Sequence, residues 1–178
     1  MKQGMFCLLM LLVVLVVSHP VLAEDERMPY YYGLSVGQSK FHVAGGGDPT
    51  VSVYLGKYLR KNLAIEGGYA NLGEGGDPRQ ASSASSVYGG GSLVLYSSKF
   101  PNVSWFVSAG FSSWYYKEGS ENDSGVDLYY GLGGMMGIDH ELSVRLAFHR
   151  YALNPSFATE EFDEEITVVS VGVEFRPD

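Results

Sequence analysis

The sequence has one cysteine, few charges and a single long apolar run. Cys7 lies within that run, near the start of the chain, so the residues that follow offer neither a disulfide nor a cysteine for lipidation. No later apolar stretch approaches the roughly 20 residues that a membrane helix needs. Only 18% of the residues are charged, and glycine interrupts any helical stretch after the run. Any membrane insertion must therefore use β-strands.

The first 23 residues have the features of an export signal. Lys2 precedes an apolar stretch from Met5 to Val17, and Val21-Leu22-Ala23 provides the small-residue ending that a signal peptidase recognises. This stretch is too short for a permanent single-pass anchor. We expect cleavage after Ala23, which leaves residues 24–178 as one domain.

The charge balance argues against a nucleic-acid partner. Residues 24–178 contain eleven basic and twenty acidic side chains, a net charge of −9. Neutralising phosphates requires clustered lysine and arginine, which this composition does not supply. The acidity itself is typical of a solubility feature.

Apolar and small residues alternate in eight separate segments. A period of two indicates β-strands, and an even number of strands is typical of outer membrane barrels. The predicted strands are Tyr30–Phe41, Val51–Gly56, Leu63–Tyr69, Val87–Tyr96, Val103–Ser112, Val126–Ile138, Leu142–His149 and Val169–Phe175.

The predicted connections alternate in length. They are short after strands two, four and six, at Arg60–Asn62, Ser97–Asn102 and Asp139–Glu141. After strands three, five and seven they are long, and two of these, Leu72–Ser86 and Ala152–Glu165, are polar. This asymmetry predicts periplasmic turns at one end of the barrel and extracellular loops at the other.

The face opposite the apolar one decides which side points outward. It consists mostly of glycine and serine, whereas a water-exposed surface is usually about a quarter to a third charged. An eight-stranded barrel is only just wide enough to hold side chains, so bulky residues cannot all turn inward as in a soluble barrel. The sequence therefore predicts an all-β, eight-stranded antiparallel up-and-down transmembrane barrel, with outward residues that include Trp105, Phe111, Leu132 and Phe148.

Aromatic residues cluster at the predicted strand ends. Amphipathic rings favour the headgroup level of a membrane and form girdles around such barrels. We therefore predict an aromatic girdle that contains Tyr30, Tyr32, Tyr69, Trp114, Tyr115 and Tyr116.

The segments YYGLSVGQSKF, NLAIEGGYANLG, DLYYGLGGMMGID, LSVRLAFHRY and SVGVEF together resemble the OmpA-like transmembrane domain family. The resemblance implies localisation in the outer membrane of a Gram-negative bacterium, with outer membrane lipid and lipopolysaccharide as its surroundings. It also implies an ion pair inside the barrel between Glu66 on strand three and Arg145 on strand seven. An unpaired charge there would cost several kcal/mol, which supports the pairing.

The last strand resembles the C-terminal signal that the outer membrane insertion machinery recognises in this family. Val169, Val171, Val173 and Phe175 occupy alternate positions. The family pattern ends on the aromatic residue, whereas Arg176-Pro177-Asp178 follow here. The family's larger members carry a peptidoglycan-binding domain, which we do not expect in this chain.

Catalytic and metal-binding readings have little support in the sequence. The histidines His42, His140 and His149 are candidates for a lipid hydrolase, but AFHRYAL lacks the His-x-Ser pattern of the lipid A deacylases, and a structural role for His149 is the better reading. The acidic run Glu160, Glu161, Asp163, Glu164 and Glu165 lacks the spaced ligands of a calcium loop. The glycine triplets Gly45–Gly47 and Gly89–Gly91 lack the lysine of a phosphate loop. We predict no enzymatic activity, metal or cofactor.

Three functions remain as hypotheses. The first is a structural and surface-interaction role, in which extracellular loops bind an external ligand in adhesion or host interaction. The second is a narrow ion-conducting channel, which the small width of the barrel opposes. The third is an enzyme that modifies outer-leaflet lipid.

Overall fold

The computed structural model describes residues 30–75, 82–155 and 163–177. They form eight antiparallel strands, each paired with its neighbours in sequence, and the last strand pairs with the first to close the barrel. The predicted export signal lies outside the described residues. The strands are β1 (Tyr30–Phe41), β2 (Pro49–Arg60), β3 (Leu63–Gly75), β4 (Ser82–Tyr96), β5 (Val103–Glu118), β6 (Glu121–Gly137), β7 (Leu142–Leu153) and β8 (Glu164–Phe175).

Side chains alternate between the inside and the outside of this barrel. On β1, Leu34 points outward and is exposed, while the adjacent Ser35 points inward and is buried. The same pattern confirms the predicted fold and the predicted outward direction of the apolar face. The exposed outward residues include Trp105, Phe111, Leu132 and Phe148.

The strand register fixes the tilt of the strands. Following paired residues from strand to strand around the barrel, a path that starts at Lys40 of β1 returns to β1 at Tyr30. The offset between the two positions, 40 minus 30, gives a shear of ten residues. With the usual strand spacing, this shear corresponds to a tilt of roughly 40° from the barrel axis. The circuit runs through Lys40, Thr167, Arg150, Tyr130, Ala109, Gly91, Ile65, Lys57 and Tyr30.

Small residues make room for tyrosines inside the barrel. A Cβ atom added to Gly56 would lie 2.2 Å from the ring of Tyr31, and one added to Gly33 would lie 2.4 Å from the ring of Tyr54. Both distances are far below a van der Waals contact. The inward glycines are therefore required by the rings beside them.

The connections differ from the prediction after the third and the fifth strands. After the third strand, β3 extends to Gly75 and β4 begins at Ser82, so the two strands take in both ends of the predicted loop Leu72–Ser86. A long loop was predicted after the fifth strand, but β5 and β6 extend past Ser112 and meet at a two-residue turn, residues 119–120. Gly119 adopts a positive φ of 58°, which glycine tolerates best. The prediction was wrong because the polar residues before this turn continue the two-residue alternation instead of ending it.

A β-bulge interrupts β3 near its C-terminal end, at the loop end of the barrel. Asn71 pairs with Ser85, but Gly73 pairs with Ala84, so β3 has one extra residue at this point. Leu72 and Gly73 are both buried, and the alternation after them is reversed. Glu74 consequently points outward instead of into the barrel, as expected for a bulge that redirects a side chain.

Candidate functional site

An ion pair crosses the inside of the barrel near the end with short turns. Arg145 Nη1 lies 2.6 Å from Glu66 Oε2, and Nη2 lies 3.2 Å from Oε1, which is a bidentate arrangement. Both side chains are buried, and the hydroxyl of Tyr31 donates a third hydrogen bond to Glu66 Oε2 over 3.0 Å. The structure therefore brings together the two charges whose pairing the family resemblance implies.

Two further charges extend this pair into an ionic layer of Glu66, Arg145, Glu174 and Arg176. Glu174 Oε2 lies 3.7 Å from Arg145 Nη1, and Glu174 Oε1 lies 2.8 Å from Arg176 Nη2. Burial opposes the charge of Arg176, but Glu174 raises the pKa of its guanidinium above the ordinary value. With two acidic and two basic groups, the ionic layer has no net charge.

Aromatic rings enclose the guanidinium of Arg145. Its Cζ lies 4.6 Å from the ring centroid of Tyr54 and 4.2 Å from that of Phe106. A cation over a ring face is stabilised by the ring quadrupole, and more strongly where water is absent. These rings and the two carboxylates together satisfy a cation that would otherwise be costly to bury.

Above the ionic layer, toward the loops, lies an aromatic layer formed by Tyr88, Tyr129, His149 and Tyr151. The rings of Tyr129 and Tyr151 stack with centroids 5.9 Å apart, and His149 contacts Tyr88, Tyr129 and Tyr151. His149 is buried, and its Nε2 atom has no hydrogen-bond partner within the part of the chain that the structure describes. Between this layer and Arg145 remains a cavity of about 10 Å³, which leaves room for about one water molecule.

An apolar layer closes the lumen at the loop end of the barrel. Its members come from five different strands and are almost completely buried. The apolar layer consists of Phe41, Leu72, Tyr116, Leu153 and Ile166. The inside of the barrel is thus filled in three successive layers, which agrees with the width of an eight-stranded barrel.

The structure divides the predicted aromatic girdle into two groups. Trp114 and Tyr116 are only 3% and 0% exposed, because both point into the barrel, and the Trp114 indole donates a hydrogen bond of 2.8 Å to Asp127. Their assignment to a membrane-facing girdle was therefore wrong. The other members are exposed on the outer surface, and their contact with headgroups stays a prediction: Tyr30, Tyr32, Tyr69 and Tyr115.

The C-terminal strand presents the residues of the predicted insertion signal outward. Val169, Val171 and Val173 are exposed on the outer face of β8, and the Phe175 ring packs against Tyr32 with centroids 5.3 Å apart. Recognition by the insertion machinery stays a prediction. The next residue, Arg176, turns toward Glu174, so the tail beyond the aromatic residue contributes to the ionic layer.

One acidic residue of the predicted loop run holds a loop in place. Glu164 is fully buried, and its two carboxylate oxygens accept hydrogen bonds of 2.7, 2.9 and 2.8 Å from the backbone N–H groups of His42, Val43 and Ala44. The adjacent Glu165 pairs with Arg150 instead. Glu160 and Glu161 lie outside the described residues, which contain no group of three or more side chains able to hold a metal.

We expect Glu164→Gln to loosen the first loop, because an amide cannot accept hydrogen bonds at both ends. Hydrogen bonds to a charged group contribute about 1.5–3 kcal/mol, so amide hydrogen exchange at Val43 and Ala44 should accelerate about tenfold or more, whereas the His42 N–H keeps a second partner in the Glu165 carbonyl oxygen. Glu165→Gln, which changes the adjacent carboxylate, serves as the matched control. Equal exchange rates in the two variants would show that Glu164 does not hold the loop.

A closed barrel with a broad apolar band on its outer surface and an ionic layer buried in its interior defines an integral membrane protein of the β-barrel class. No helix within the described ranges is long and apolar enough to cross a membrane. The chain belongs to the outer membrane protein β-barrel domain family, whose model matches residues 9–176. It is therefore a bacterial outer membrane protein. No curated protein sequence matches this chain.

Several solved outer membrane proteins share this fold. Neisserial surface protein A has a TM-score of 0.70 at 10% identity, and the match covers 83% of this chain and 97% of that one. Ail, the attachment invasion locus protein of Yersinia pestis, has a TM-score of 0.56 at 12% identity, covering 85% and 100%. OprG of Pseudomonas aeruginosa has a TM-score of 0.53 at 7% identity, covering 86% and 97%. At these identities the likeness concerns the fold alone.

Proposed function

We propose that this protein is a surface-interaction protein, in which the barrel is an anchor and the loop end binds a partner outside the cell. The observation that carries the proposal is the filled lumen. The ionic, aromatic and apolar layers occupy the interior, and the cavity between the first two holds about 10 Å³. A barrel packed in this way offers its outer end, and not its interior, for recognition.

The filled lumen argues against the channel hypothesis. The ionic layer crosses the passage at Glu66 and Arg145, and the apolar layer covers the loop end. In planar bilayers, we expect the folded protein to give no reproducible conductance above the lipid background. Stable conductance steps that change in Glu66→Gln would contradict the anchor and favour a channel.

The environment of His149 argues against an enzyme that modifies lipid. A serine hydrolase needs a histidine bonded to a serine and oriented by a carboxylate, at a surface that the substrate can reach. Here His149 is buried among tyrosine rings inside the barrel. A change in lipid A mass that depends on the protein and is lost in His149→Ala would overturn this assignment.

Contact with outer-leaflet lipid is part of the proposal. Lys40 and Arg150 point outward on either side of Thr167, in one register row beyond the apolar residues of β1, β7 and β8. Cations at this level can interact with the phosphates of lipopolysaccharide, although Glu165 partly neutralises Arg150.

The negative charges of the loop end, which include Asp48, Glu74 and Asp123, disfavour a polyanionic external partner.

Loop replacement tests the surface-interaction role directly. Residues 42–48, 76–81 or 156–162 are exchanged for short glycine-serine segments, and adherence of cells displaying each variant to an epithelial monolayer is counted. We expect at least one replacement to reduce adherence several-fold. The matched control replaces Lys61 and Asn62 in the turn at the opposite end, which should change nothing. Unchanged adherence in every loop variant contradicts the proposal.

A further inference from the structure

A polar groove opens on the outer wall of the barrel at the loop end. Its volume is about 410 Å³, within the range of sites that bind small molecules. It lies where β2 begins, β3 ends, β4 begins and β5 nears its end. The residues that line it are Asp48, Pro49, Tyr69, Asn71, Gly73, Glu74, Ser83, Ala84, Ser85 and Tyr115.

The bulge in β3 supplies one of the two carboxylates of this groove. Because Leu72 and Gly73 are both buried, the outward direction passes to Glu74, which would otherwise point into the lumen. Gly73 has a positive φ of 80°. The backbone N–H of Gly73 donates a hydrogen bond of 3.1 Å to the side-chain oxygen of Asn71. The bulge thus holds Glu74 on the same side of the wall as Asp48.

Tyrosine rings and small hydroxyls form the rest of the groove. Asn71, Ser85 and Tyr115 are paired in one register row across three neighbouring strands. At a strand spacing of about 4.8 Å, this row places the Tyr115 ring within roughly 10 Å of Asn71. Tyr69 is exposed nearer the apolar surface. Two exposed tyrosine side chains and two serines therefore line the groove together.

The chemistry of these groups selects the ligand. Two carboxylates without a lysine or arginine among the described lining residues repel anions. Carboxylate, amide and hydroxyl groups offer many hydrogen bonds to hydroxyls, and tyrosine presents a large rigid contact surface at low entropic cost. We propose that this groove binds a neutral saccharide, held by hydrogen bonds to Asp48, Asn71 and Glu74 and by contact with the Tyr69 and Tyr115 rings.

This proposal rests on the surface-interaction role only in assuming that the loop end faces outward, and purified protein tests it separately from adherence. The folded protein in a detergent without sugar groups is titrated with neutral oligosaccharides of glucose, galactose and N-acetylglucosamine, and binding is followed by saturation-transfer NMR. We expect at least one of them to bind, and Tyr115→Ala and Asn71→Ala each to weaken that binding at least tenfold. Tyr130→Ala, which changes an exposed tyrosine outside the groove, should leave the affinity unchanged.

The source of the saccharide is distinguished by a second arm. The protein is placed in lipid nanodiscs with and without lipopolysaccharide, and the NMR signals of Tyr69 and Tyr115 are compared. Because Tyr69 and Tyr115 also belong to the predicted headgroup girdle, only a shift with lipopolysaccharide that Asn71→Ala abolishes identifies a glycolipid headgroup as the ligand. A shift only with added oligosaccharide identifies a free glycan. Absence of both shifts, an equal loss of binding in Tyr130→Ala, or preferential binding of a heparin oligosaccharide would overturn the proposal.

Discussion

Arg145→Met is expected to lower the free energy of unfolding by about 3–5 kcal/mol, because it leaves buried carboxylates without a counter-charge. Glu66 and Glu174 both face this guanidinium inside the barrel, and Arg176 compensates only Glu174. Methionine fills much of the space that arginine leaves, so the loss is electrostatic and not a loss of packing. Urea titration of the protein in lipid vesicles, followed by tryptophan fluorescence, measures the change.

A compensating variant separates charge from packing in that experiment. Arg145→Met combined with Glu66→Gln removes the uncompensated carboxylate and should recover a large part of the lost stability. Replacing a buried ion pair as a whole is often close to neutral, whereas removing one partner is not. Wild-type stability in Arg145→Met alone would show that the ionic layer contributes nothing to folding.

Leu132→Arg should destabilise the membrane-inserted barrel by about 2–4 kcal/mol, because it places a charge against the hydrocarbon centre of the bilayer. Leu132 points outward from the middle of β6 and is 57% exposed in the isolated protein. The effect would be read from urea unfolding in vesicles and from the yield of folded protein in the outer membrane.

Ser124→Arg provides the matched control on the same strand and the same face. Ser124 lies eight residues nearer the loop end, where the outer surface is polar, so its replacement should cost about 0–1 kcal/mol. Equal costs at the two positions would contradict a lipid-facing surface. Recovery of the native protein in the periplasm without detergent would contradict membrane insertion altogether.

The fold could be predicted from the sequence because each strand of the barrel shows an alternation of apolar and small residues, which can be recognised within a short segment. A period of two assigns every residue to one face, and the choice between faces needs only the scarcity of charge on the small-residue side. The same signal could have corrected the girdle. Trp114 and Tyr116 have the parity of the inward Ser112, and only Tyr115 between them points outward.

The other contacts of the site join residues that are far apart in the sequence and meet only when the barrel closes. They could therefore not be predicted from short sequence patterns. Glu174 has an inward parity that the sequence does reveal, but its contact with Arg176 requires the chain to turn back into the barrel. Glu164 lies in an acidic run that resembles a solvated loop, yet it binds a segment 120 residues earlier in the chain. The bulge in β3 could likewise not be recognised from the residues of β3 alone. The extra residue, which reverses the inward and outward directions after it, is apparent only from the pairing of β3 with β4.

The ionic layer joins strands that are distant along the chain, with Glu66 on β3, Arg145 on β7 and Glu174 at the end of β8. A sheet formed by only the first six strands contains Glu66 but not its partner Arg145, which lies on β7. Such a partial sheet gains little from entering hydrocarbon, since it would carry a bare carboxylate with it. Insertion and the final β1–β8 zipping are therefore expected to occur as one concerted event, with no long-lived half-inserted intermediate.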